Sequence, residues 1–150
     1  MSSMMKKILP MLEVEFVVLH CSATRCDKEF TFEDLDRCHR ARGFNGCGYH
    51  YYVTRDGEIH PGRPEEVAGA HARHYNQHAI GVCYEGGLNP QGRDEDTRTP
   101  AQKASLHYLL KSLKLAYPRA KIIGHRDLPN VHKACPCLDA QREYADINNL

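Results

Sequence analysis

No apolar run in this chain of 150 residues is long enough to cross a bilayer, so no membrane-spanning helix belongs to its expected architecture. Neither sign of charge prevails. Twenty Lys and Arg residues stand against 19 Asp and Glu, a formal net charge of +1. A chain so balanced lacks the basic field that draws nucleic acid or an anionic membrane surface, so neither partner is expected. A paired cysteine framework is missing too: the seven cysteines, at 21, 26, 38, 47, 83, 135 and 137, are odd in number and scattered. The start lacks a secretion signature. Lys6 and Lys7 precede a few apolar residues, but Glu13 and Glu15 interrupt them and no small-residue cleavage site follows. Synthesis in a reducing cytoplasm, without a signal peptide, is the expectation.

What is present suits one globular domain over 1–150 with its core at about 14–147, since 41% of residues are hydrophobic. Short strands alternate with helices. Val14–His20 reads as a buried strand, and Thr31 as the N-cap of a helix that turns Leu35, Cys38 and Phe32 inward and stops at Gly43. Arg55-Asp56-Gly57, between Tyr49–Thr54 and Glu58–His60, is a hairpin signal. Ala79–Tyr84 is a second apolar strand, and the polar stretch Gly86–Arg98 reads as a surface loop. Thr99-Pro-Ala-Gln102 combines a capping residue, a proline at the first helical position and a glutamine at the third. Leu106, Leu109, Leu110, Leu113 and Ala116 then recur on one face. Ala120–Gly124 forms a last short strand, and Leu138–Ile147 a closing helix.

The chemistry gathers at two strand ends. His20 closes the run Phe16-Val-Val-Leu19, and His125 follows Gly124 shortly before Lys133-Ala-Cys-Pro136. Two imidazoles and one thiol make a metal set with a position left for water, the arrangement of a catalytic zinc site rather than a closed structural one. Taken singly, His20 reads as a structural histidine, Cys135 as a buried thiol, Tyr49 as a sheet residue and Lys133 as a solvated charge. In combination, His20, His125 and Cys135 point to metal-assisted hydrolysis.

With these residues in place, the chain resembles the zinc-dependent N-acetylmuramoyl-L-alanine amidases of the type-2 amidase family, which include short bacteriophage lysozyme-amidases and peptidoglycan recognition proteins. The resemblance runs from Val17 to Asp139. It rests on Val18-Leu-His-Cys-Ser-Ala-Thr24, Gly48-Tyr-His50, Arg55-Asp-Gly57, Gly69-Ala-His-Ala72 with Tyr75-Asn76, Ile80-Gly-Val-Cys83, Thr99-Pro-Ala-Gln102 and Lys133-Ala-Cys-Pro136, in that order. It implies an α/β fold: a central mixed β-sheet packed by about three helices in a single domain. It implies one zinc on His20, His125 and Cys135, with Tyr49 beside the water and Lys133 near the oxyanion as catalytic residues. His71 and Asn76 would bind substrate.

The implied reaction is hydrolysis of the amide between N-acetylmuramic acid and L-alanine in peptidoglycan or a muropeptide, by a monomer acting as an endolysin. A non-catalytic peptidoglycan binder of the same fold and a cytoplasmic muropeptide-recycling amidase are the alternatives. His50 is expected on the sheet face opposite Tyr49. Cys21 is expected to face away from the metal, and Cys137 departs from the small or polar residue of relatives. The other histidines, 39, 60, 74, 78, 107 and 132, read as structural.

Overall fold

The computed structural model describes residues 8–150, so the reading of the first seven residues lies outside it. In chain order the elements are β1 (Phe16–Cys21), β2 (Thr24–Arg25), α1 (Phe32–Ala41), β3 (Tyr51–Val53), β4 (Ile59–Pro61), β5 (Ala79–Tyr84) and β6 (Gly87–Leu88). They continue with α2 (Pro100–Ala116), β7 (Lys121–Gly124), a 3-10 turn over His125–Asp127, α3 (Ala140–Glu143) and α4 (Ala145–Asn148). Five strands form one mixed sheet in the order β4-β3-β5-β1-β7, as the alternation of strand and helix signals predicts. The hairpin β3–β4 is antiparallel and its other neighbours are parallel.

β1 is the axis of the sheet. A strand flanked on both edges and covered on both faces must be apolar throughout, and Val17, Val18 and Leu19 are wholly buried. Val17, Leu19 and Cys21 enter the main core with Leu106, Leu110 and Leu113 of α2, a core that reaches from Val14 to Ile147. Each fully buried leucine there contributes about 1.5–3 kcal/mol. Val18 emerges on the other face, and by alternation so does His20. On that face α1 lies over β3 and β5 through Leu35, Tyr52 and Cys83.

α2 begins where its capping box predicts. Gln102 N–H donates to Thr99 Oγ1 at 3.1 Å while Thr99 N–H donates to Gln102 Oε1 at 2.9 Å. The wholly buried Gln102 amide also donates to Val53 O and Glu85 O, tying the cap to the ends of β3 and β5.

Four expectations are corrected. Cys38 is exposed and His39 is the buried partner of Leu35, because the inward face of α1 follows the i, i+4 step. Ala116 is exposed, and the face of α2 closes instead with Lys114, whose buried ammonium donates to Ala120 O at 2.7 Å. The stretch Gly86–Arg98 is not purely surface loop: β6 pairs in parallel with β2, and Arg98 is buried between Asp96 and Glu143. The closing helix is two short turns broken at Tyr144, whose hydroxyl accepts from Arg98 Nη1 at 2.8 Å.

Candidate metal centre

The register of the sheet brings the two imidazoles together. Leu19 of β1 pairs with Gly124 of β7, so the next residues, His20 still in β1 and His125 just past β7, stand side by side with ring centroids 4.5 Å apart. The thiol arrives on the turn that follows. Cys21 N–H donates to Cys135 Sγ at 3.2 Å, Arg126 N–H donates to Cys135 O at 2.9 Å, and the buried Tyr84 hydroxyl donates to Pro136 O at 2.6 Å. Gly124 allows this approach: a Cβ there would stand 2.7 Å from Pro136 Cδ. One potential ligand atom from each of His20, His125 and Cys135 lies within 4.8 Å of the others, the single such group among the described residues.

This donor set fits a zinc ion. Imidazole nitrogen and thiolate sulfur bind zinc at about 2.0–2.3 Å, so three donors this close converge with small side-chain adjustment. Burial, reinforced by His71, His125 and Lys133, holds His20 well below its ordinary pKa. Burial and then Lys133 lower His125. Both rings are therefore neutral at pH 7, the form a metal requires. Cys137 and Cys21 lie outside the group. Their sulfurs are 3.9 Å apart, and Cys137 Sγ donates to Gly87 O.

Tyr49 stands beside the centre, its ring centroid 4.9 Å from that of His20. Burial raises its phenol well above the usual 10, so the hydroxyl is a donor and not a base at neutral pH. It sits just before β3, and His39 supports it: that ring lies 5.4 Å from Tyr49 while its Nδ1 accepts from Gly48 N–H at 2.8 Å. Lys133 is exposed, close enough for its charge to depress both His20 and His125.

His71 lies behind the centre. Its Nδ1 is 2.9 Å from His20 Nε2 and its Nε2 is 3.2 Å from Ala79 O, which leaves neither nitrogen free for a substrate. Burial brings its pKa down to about 3. Asn76 Oδ1 accepts from the N–H groups of both His71 and Ala72, and Asn76 also lines a cavity of about 610 Å³ with Phe32, Phe44, Arg63, Val67 and Ala70. His50, with Nδ1 accepting from Gly81 and Nε2 donating to Val67 O, packs behind His71 at 5.8 Å. The contact of His71 with His20 escapes a reading of motifs. Its trace in the sequence is Gly81, a glycine inside an apolar strand, where a Cβ would stand 2.7 Å from the His71 ring.

These buried and half-buried histidines set a pH dependence. His20, His39, His50, His71 and His125 all have folded-state pKa values below 6.5, so the unfolded chain binds protons first. The stability this contributes is complete above about 6.5 and is lost as pH falls toward about 3. Urea unfolding of metal-free protein should therefore show a lower midpoint at pH 5 than at pH 7. An equal or higher midpoint at pH 5 would contradict the neutral cluster.

Two neutral imidazoles and a thiol at the end of the parallel strands β1 and β7, with a lysine alongside, are the class of site that suits a metal-dependent hydrolase. The chain belongs to the N-acetylmuramoyl-L-alanine amidase family, which residues 10–137 match. It is 36% identical over 126 residues to the endolysin of Escherichia phage T7, covering 84% of this chain and 82% of that one. To the endolysin of Klebsiella phage KP32 it is 35% identical over 130 residues, covering 87% and 85%. The solved N-acetylmuramoyl-L-alanine amidase LysC from Clostridium intestinale URNW superposes with a TM-score of 0.79 at 28% identity, over 95% of this chain and 91% of LysC. Drosophila PGRP-LB, at 23% identity, shares the fold with a TM-score of 0.74 over 93% and 85%.

Proposed function

We propose that this protein is a zinc-dependent amidase that cleaves the bond between N-acetylmuramic acid and L-alanine in peptidoglycan, as an endolysin-type lytic enzyme. The observation that carries this reading is the convergence of His20, His125 and Cys135 beside Tyr49 and Lys133 in a chain of this family. When bound, zinc supplies a Lewis acid for the amide carbonyl and brings the pKa of water to about 7. His20, His125 and Cys135 would hold it. The Lys133 ammonium stabilises the negative charge that develops on the carbonyl oxygen, and the protonated Tyr49 hydroxyl orients the attacking water by donating or accepting a hydrogen bond.

The retained donors favour catalysis over binding alone, since a peptidoglycan binder that does not cut requires neither the thiol nor the lysine. The working unit is one domain with its core at 14–147, made in the cytoplasm and acting on the wall after release. No helix among the described residues is long and apolar enough to cross a membrane.

Zinc-loaded protein incubated with peptidoglycan should generate new L-alanine amino termini and no new reducing sugars. Chelation should stop the reaction while circular dichroism shows the fold retained. New reducing ends without new amino termini would identify a glycosidase and overturn the assignment. Tyr49→Phe should keep zinc and fold yet lower turnover by about a hundredfold, the lower end for a group that manages protons in the transition state. Wild-type turnover in that variant would remove Tyr49 from the mechanism.

A further inference from the structure

The hydrogen bonds behind the centre determine which nitrogen of His20 faces forward. Ala79 O is a carbonyl oxygen and can only accept, so the His71 Nε2 at 3.2 Å carries a proton. With its ring proton placed there, His71 turns Nδ1 to His20 as an acceptor, and the His20 Nε2 at 2.9 Å is the donor. That leaves the lone pair of His20 on Nδ1, the nitrogen not engaged by His71 and so the one available to the group with His125 and Cys135. Gly81 makes room for the arrangement, because any side chain there would strike the His71 ring. Gly81 N–H in turn donates to His50 Nδ1, so the His50 proton is on Nε2, 2.8 Å from Val67 O.

We propose that His71 is a positioning residue: relaying the Ala79 carbonyl through its own ring, it locks His20 in the Nε2-protonated tautomer and so makes Nδ1 the metal ligand. The consequence for zinc rests on the amidase reading, whereas the tautomer does not. A ligand imidazole whose second nitrogen is fixed by a hydrogen bond is held in orientation and made more basic, and losing such a partner typically weakens metal binding by about 10–100-fold. His71 touches no substrate in this role, so its loss acts on the metal and leaves KM of the zinc-saturated enzyme unchanged.

The test has two arms. In metal-free wild-type protein at pH 7, nitrogen-15 NMR of the imidazoles should show His20 protonated on Nε2 and bare on Nδ1. The opposite tautomer overturns the proposal whether or not zinc binds. In the second arm zinc affinity is measured by competition with a chromophoric chelator for wild type, His71→Asn and His71→Leu. Asparagine places an acceptor oxygen near the position of Nδ1 and should stay within a few-fold of wild type, whereas leucine should weaken binding by about 10–100-fold. Wild-type affinity in a folded His71→Leu protein, or a raised KM with zinc affinity untouched, overturns the positioning role. If leucine prevents folding, a large loss in His71→Asn overturns it equally, because the acceptor is retained there. Failure of wild type to bind zinc at all would count against the amidase reading and leave the NMR result to decide the tautomer.

Discussion

Cys135→Ala is expected to abolish stoichiometric zinc binding and to lower amide hydrolysis by about a thousandfold or more. Metal Lewis acidity supplies several kcal/mol of transition-state stabilisation, and about 1.4 kcal/mol corresponds to a factor of ten in rate. Loss of one of three ligands puts most of that at risk. The fold should survive, because Cys135 only borders the main core and its turn is held independently by the Tyr84–Pro136 hydrogen bond. Cys137 should not substitute, as its sulfur lies outside the converging group and is engaged with Gly87 O. Zinc content, turnover and melting temperature measured on the same preparations decide the matter. A Cys135→Ala protein that keeps one equivalent of zinc and turns over within tenfold of wild type would show the ligand set to be wrong.

Lys133→Ala should separate chemistry from metal binding. On the proposed mechanism the ammonium stabilises developing negative charge, and loss of such a donor costs about 100- to 1,000-fold in turnover. Its effect on zinc has the opposite sign. The Lys133 charge depresses His20 and His125 because it disfavours further positive charge beside them, so its removal should leave zinc affinity unchanged or slightly tighter. A ligand or a structural lysine would show weaker zinc binding or a lower melting temperature instead. Unchanged turnover with zinc retained would dismiss Lys133 from the chemistry.

The parts of the fold legible in the sequence were those governed by local rules. The capping box at Thr99, the wholly apolar run of β5 and the Asp56-Gly57 turn each depend on neighbours a few residues away, and each appears where expected. Tyr144, Arg98 and His71 depend on partners distant in the chain. Tyr144 breaks the last helix where Arg98 reaches it across 46 positions, a contact that no hydrophobic period records. His71 sits in a motif that suggested a cleft, yet its ring is spent on His20, 51 residues away, and on Ala79 O. The converging set itself was readable, because residue type at a strand end says much about chemistry. Which side of His20 each neighbour occupies required the register of β1 with β5 and β7.

The placement of β1 between β5 and β7 also governs when the centre comes into being during synthesis. His20 is translated early, but the strand edge that delivers His125 arrives with residues 121–124, and the thiol later still. Until β7 docks, β1 has an open edge and His20 has no companion donor. On the proposed ligand set, a chain that ends before Cys135 lacks the thiol donor and is expected to show no amide hydrolysis. The three donors therefore come together as a late event, after the last strand of the sheet has closed beside the first and the turn carrying Cys135 has followed it.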